Sequence, residues 1–81
     1  MTIEKLAFEV KGLQVANEKA VTISQMRRIS NVRRNLLATI NSAFESGYWT
    51  GGTYDLLHAL KVDLVNIEKD LQYKAMRTMN A

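Results

Sequence analysis

Leu57-His58-Ala59-Leu60-Lys61-Val62-Asp63-Leu64-Val65-Asn66-Ile67-Glu68-Lys69-Asp70-Leu71 is the stretch that decides the fold. Its anchors Leu57, Leu60, Leu64, Ile67 and Leu71 recur every three or four residues, which aligns them on one side of a helix and on no common face of a strand. The seam predicts a helix over residues 53–78, with Thr53 placed to cap its start. Asp70 precedes Lys74 by four residues, the favourable order for a helical ion pair. A second, weaker stripe of Val62, Val65 and Met76 faces roughly the opposite way, with His58 and Lys69 beside it. A helix that is apolar on two sides asks for two neighbours.

The same spacing runs upstream. Ile3, Leu6, Val10, Leu13, Asn17 and Ala20 follow a heptad rhythm and predict a first helix over residues 3–20. Asn17 sits in that seam; a polar residue there either fixes register or lies solvated near a helix end, and the solvated placement is the simpler expectation. Phe8 and Val15 point away from the seam. Gly12 weakens the helix by about 1 kcal/mol relative to Ala, or else admits another helix closely. The rhythm then changes phase to Ile29, Val32, Leu36, Ile40 and Ala43, widened by Met26, Leu37 and Phe44. Thr22 and Gln25 have the form of a capping box, so a second helix is expected over 23–46, closed by Gly47 in the left-handed conformation. With no Pro or Gly between residues 13 and 46, a single long bent helix, and hence a two-helix hairpin, is the alternative. The fold class expected is all-α: one domain over residues 1–81, a small bundle of three helices with a Gly/aromatic turn at 47–52.

An 81-residue chain buries only about 60% of the surface that its unfolded form exposes. Small domains compensate with disulfides, metals or association. The sequence has no Cys and one His, which leaves association, most simply as a homodimer. No segment approaches the roughly 18 apolar residues of a membrane span, and Glu4, Lys5, Glu9 and Lys11 interrupt any signal core. A soluble, cytoplasmic protein with no membrane contact is expected.

The net charge is +3, and its sequence distribution is uneven. Residues 1–20 carry three acids and three bases, residues 47–81 four of each, and residues 21–46 four Arg against Glu45 alone. Arg27, Arg28, Arg33 and Arg34 therefore mark a candidate partner-binding segment. At about 100° per residue Arg27 and Arg34 share an outer face with Asn41, Arg28 lies elsewhere, and Arg33 falls inside the apolar stripe. Two guanidinium groups per face make a weak phosphate-binding surface, so nucleic-acid binding is the lesser expectation. Arg33 either snorkels to the edge or forks onto a carboxylate across an interface.

Catalysis is not expected. His58 and Asp55 stand at helical spacing, but no third group orients them. Asp55, Asp63 and Asp70 form a solvated acidic row, and one His holds no zinc, so neither metal nor cofactor is anticipated. Residues 47–53 lack the Gly-Lys-Ser/Thr ending of a phosphate loop.

The turn Gly47-Tyr48-Trp49-Thr50-Gly51-Gly52, with Tyr54 next, gathers three of the six aromatic residues. Trp49 is expected to plug the end of the bundle; as an exposed anchor, Tyr48 and Trp49 join the candidate contact residues. At Trp49-Thr50-Gly51 the chain resembles the WxG family of small exported helical hairpins. That resemblance implies a type VII secretion substrate or partner that dimerises antiparallel into a four-helix bundle and leaves the cell without a cleaved signal peptide. The chain departs from the family in two ways: Tyr73 is followed by Lys74, Ala75, Met76 and Arg77 instead of an acidic residue three positions on, and its charge is basic. The residues themselves point to a non-enzymatic, protein-binding helical module with Val62, Val65 and Met76 on its contact surface. Small Cys-free proteins of this kind are common as phage or mobile-element modulators and inhibitors of host complexes, and as assembly chaperones.

Overall fold

In the computed structural model, which describes residues 2–47 and 51–80, three helices follow one another: α1 (Ile3–Lys19), α2 (Ile23–Ser46) and α3 (Gly52–Asn80). No strand occurs among the described residues. At 1.5 Å per residue the 29 residues of α3 span about 44 Å, nearly the whole 46 Å long axis of the molecule, whose other axes measure 17 Å each. The bundle is a rod with α3 as its spine.

Local chemistry sets the boundaries. Thr2 caps α1, its hydroxyl accepting from the Lys5 N–H at 3.2 Å. Between α1 and α2 the chain turns over three residues, so residues 3–46 form two helices and not one bent helix. The Thr22–Gln25 capping box holds that break: Thr22 Oγ1 accepts from the Gln25 N–H at 3.1 Å, and Gln25 Oε1 accepts from the N–H groups of Thr22 at 3.0 Å and Val21 at 2.8 Å. Donors that a helix start leaves open are thereby satisfied reciprocally. Gly47 closes α2 at φ 71°, a left-handed conformation that costs an L-residue roughly 1–2 kcal/mol. Thr53 does not cap α3. A second positive-φ glycine, Gly51, turns the chain two residues earlier, the Asp55 N–H donates to its carbonyl at 3.2 Å, and Thr53 lies inside the helix.

The core is one cluster running the length of the rod. All five anchors of the α3 seam are buried, and Ile40, Leu57, Leu64 and Val10 are its most enclosed side chains. From α1 the seam delivers Leu6, Val10 and Leu13 as expected, with Ala20 buried just beyond the helix end and Ile3 partly buried at its start. The α2 stripe needs one correction: Val32 is 41% exposed and Arg33 takes the buried place in the row Met26, Ile29, Arg33, Leu36, Ile40. Position 33 lies nearer the centre of that stripe, and the aliphatic stem of Arg fills it.

Asn17 is likewise inside and not solvated, at 5% exposure. Its Nδ2 donates to Asp70 Oδ2 at 2.6 Å, and its carbonyl oxygen accepts from the Ala20 N–H and from Lys74 Nζ. Lys74 also pairs with Asp70 at 3.5 Å, the helical pair expected from their spacing. The C-terminal end of α1, where carbonyls lack helical partners and a cation is favoured, is thus fastened to α3. With up-down-up topology, α1 runs parallel to α3 and its C-terminal end lies beside Asp70 and Lys74. Gly12 admits no neighbour: a methyl group there meets nothing within 4 Å.

Candidate protein-binding surface

The four arginines of α2 diverge once folded. Arg33 turns inward, 7% exposed, and reaches Glu68 of α3 with Nη2 3.4 Å from Oε1. Of the two expectations, a snorkel to the edge or a fork across an interface, neither describes it: this is a one-pronged pair within the bundle, with Nε and Nη1 buried without a partner. Arg28 is exposed beside Lys19 in the crevice between α1 and α2. Arg27 and Arg34 are exposed on the outer side of α2, as the helical angles predict. The sequence cluster therefore leaves only two of its members on a common outward face.

Folding redistributes the charge. The end of the rod built from residues 17–31 and 70–80, the α1–α2 turn with the last turns of α3, holds five basic residues, Lys19, Arg27, Arg28, Lys74 and Arg77, against Glu18 and Asp70. The remainder carries six of each sign. All of the net +3 therefore sits at one end, an asymmetry that appears only when the topology brings Lys74 and Arg77 beside Arg27 and Arg28.

Exposed apolar side chains gather at the same end. Val21, Ile23, Tyr73, Met76 and Met79 are all exposed there, Met79 at 77%. Between the start of α2 and the end of α3 runs an open groove of about 300 Å³, lined by the buried Met26 and Leu71 and the half-buried Ala75, with the exposed Ile23, Arg27 and Met79 at its edges. Farther along α3, Val62 and Val65 are exposed on the side away from the core, Val62 at 55%. On α1, Phe8 and Val15 are exposed as well.

At the opposite end of the rod Phe44, Tyr54 and His58 form a three-ring cluster with centroids 5.0–5.3 Å apart, two of the three pairs being edge-on. Lys61 places its ammonium 5.8 Å from the Phe44 ring centre. These contacts use His58 as a packing ring between Phe44 and Tyr54. Tyr48 and Trp49 lie outside the described residues. Among the described residues no group of three His, Asp or Glu side chains converges as metal ligands, and no helix is long and apolar enough to cross a membrane.

Sequence reading missed the contribution of Val21, Ile23, Tyr73 and Met79. Their signal was present, since Met79 continues a second 4-3 spacing along α3 through Val65, Glu68, Gln72 and Ala75, but it is diluted by the polar members of that row. Fold and surface together define a small all-α protein, a three-helix bundle with a basic, partly apolar end. No protein-family model matches the chain, and neither does any curated protein or any solved structure.

Proposed function

We propose that this chain acts without catalysis, as a small helical module that occupies a surface on another protein chain, either a second copy or a larger complex that it modulates or helps to assemble. The observation that carries this reading is the outward face of α3: Val62, Val65 and Met76 stand exposed on the side away from a core that already buries Leu57, Leu60, Leu64, Ile67 and Leu71. The chain exposes 5681 Å² in all, against about 4,900 Å² for a typical monomer of its mass. An elongated shape raises that area, and the exposed apolar residues of α3 lie within it.

The test pairs sedimentation velocity over a wide concentration range with pull-down from host lysate, with and without nuclease, on the wild type and on Val62→Asp. Concentration-dependent association, or a nuclease-resistant partner that Val62→Asp loses, supports the reading. A strict monomer that captures no protein, or captures one only through nucleic acid, overturns it.

A further inference from the structure

Resting on the protein-binding reading and naming its site, we propose that the groove between the start of α2 and the end of α3 receives an acidic amphipathic helix from a different protein. Three observations converge there. The first is shape: the groove is a shallow, open depression between two antiparallel helices, lined by Ile23, Met26, Leu71, Ala75 and Met79. On α2 the outer lip follows Ile23, Arg27, Ser30, Arg34, Leu37, Asn41 and Phe44. On α3 it follows Val65, Glu68, Gln72, Ala75 and Met79. Both rows keep the alternating three- and four-residue spacing into which the knobs of a further helix fit. The bundle already contains such an arrangement, since α1 lays its own heptad seam against the other side of the same two helices.

The second observation is charge. Arg27 and Arg34 stand exposed along the α2 lip, Arg27 within the end of the rod that carries the whole net charge and Arg34 two turns farther along the helix. The acid nearest this part of the groove, Glu68, is engaged by Arg33. The unanswered charges are positive, and a helix whose apolar ridge is flanked by Glu or Asp complements them. The third observation bears on a second copy as occupant. Two copies related by a two-fold axis and placed groove to groove would turn the exposed Arg27 and Arg34 of one towards the same residues of the other, where like charges repel. Nucleic-acid phosphates would meet Arg27 and Arg34 but leave the exposed side chains of Ile23 and Met79 without an apolar partner.

The test uses the full chain, labelled with ¹⁵N, and two synthetic peptides of about 20 residues, roughly 30 Å as a helix. They share one leucine heptad seam and differ only in flanking Glu or flanking Lys. The expected result is binding of the Glu peptide with amide shifts at Ile23, Ser30, Gln72 and Met79, and affinity for the Lys peptide about tenfold lower. Arg27→Glu should narrow or reverse that preference, and Met79→Asp should weaken binding of the Glu peptide, both variants keeping the wild-type helicity and thermal midpoint. Equal affinity for the two peptides, binding of neither, or shifts confined to α1 or to the Val62 face overturns the proposal. So does a concentration-dependent shift of the groove amides without peptide, which assigns the groove to a second copy. Phosphatidylserine vesicles or a DNA duplex that displace the Glu peptide and move the same amides also overturn it. The two readings fail separately: if a captured partner is lost in Val62→Asp but kept in both groove variants, the groove assignment falls and protein binding stands.

Discussion

The guanidinium of Arg33 on α2 meets the carboxylate of Glu68 on α3 through one nitrogen, at 3.4 Å, while its Nε and Nη1 are enclosed without a partner. A buried cation so incompletely satisfied contributes little net stability, because the loss of hydration offsets the attraction. Arg33→Leu keeps an apolar side chain at the centre of the α2 stripe and removes the orphaned donors. We expect it to be neutral or to stabilise the fold by about 1–3 kcal/mol, read as an unchanged or raised urea midpoint. Glu68→Ala should do the opposite, lowering stability by about 1–2 kcal/mol, a figure reduced from the fully buried case because the Glu68 side chain is 44% exposed and partly screened. A stabilising Glu68→Ala would show that the pair does not hold the cation in place.

Leu64 and Val65 are neighbours in sequence and opposites in the fold. Leu64 is fully buried in the α3 seam, and a domain of this size is stable by only about 4–12 kcal/mol. Leu64→Asp places an unpaired carboxylate in that seam and should abolish the cooperative helical signal in circular dichroism. Val65 is 36% exposed, and Val65→Asp should stay helical, with its midpoint lowered by no more than about 1 kcal/mol. Loss of helicity in Val65→Asp would place that residue inside the core.

How much of this was legible in the sequence depends on whether a residue's environment is local. The α3 seam, the Thr22–Gln25 box and the Gly47 cap were readable because spacing and capping are decided within a turn or two of helix. Arg33 and Asn17 were harder. Each occupies a core position by angle, yet what makes that position tolerable is a carboxylate far away in the chain, Glu68 for one and Asp70 for the other. Hydrophobicity ranks Val32 above Arg33, and only the geometry of the packed stripe reverses that order. The basic end was least legible of all. Adjacent arginines diverge by about 100° on a helix, so the run from Arg27 to Arg34 does not survive folding as one patch, whereas Lys74 and Arg77 join Arg27 and Arg28 only through the up-down-up topology.

Asn17 links α1 to α3 through Asp70 and through Lys74, while its own Oδ1 is buried without a partner. Asn17→Ala removes the donor to Asp70 but leaves the backbone carbonyl for Lys74. It should cost about 1–2 kcal/mol. Amide exchange should quicken chiefly in the last two turns of α1, because the rest of that helix stays anchored by Leu6, Val10 and Leu13. Exchange accelerated evenly along α1 would mean that the polar fastening and the apolar seam act as one unit.

The break between α1 and α2 rests on side-chain oxygens that bond to the backbone, so it can be tested apart from the core. Thr22→Ala removes the acceptor for the Gln25 N–H and should cost about 1 kcal/mol, a fall in thermal midpoint of about 4–8 °C for a domain of this length. Gln25→Ala frees the N–H groups of Val21 and Thr22, both at the exposed turn where water replaces the lost acceptor, so its effect should be smaller. Because the two substitutions dismantle one reciprocal motif, the double variant should lose less than the two single losses added together. Strict additivity would show that Thr22 and Gln25 cap α2 independently, and that the turn is held by the burial of Ala20 and Met26 on either side of it.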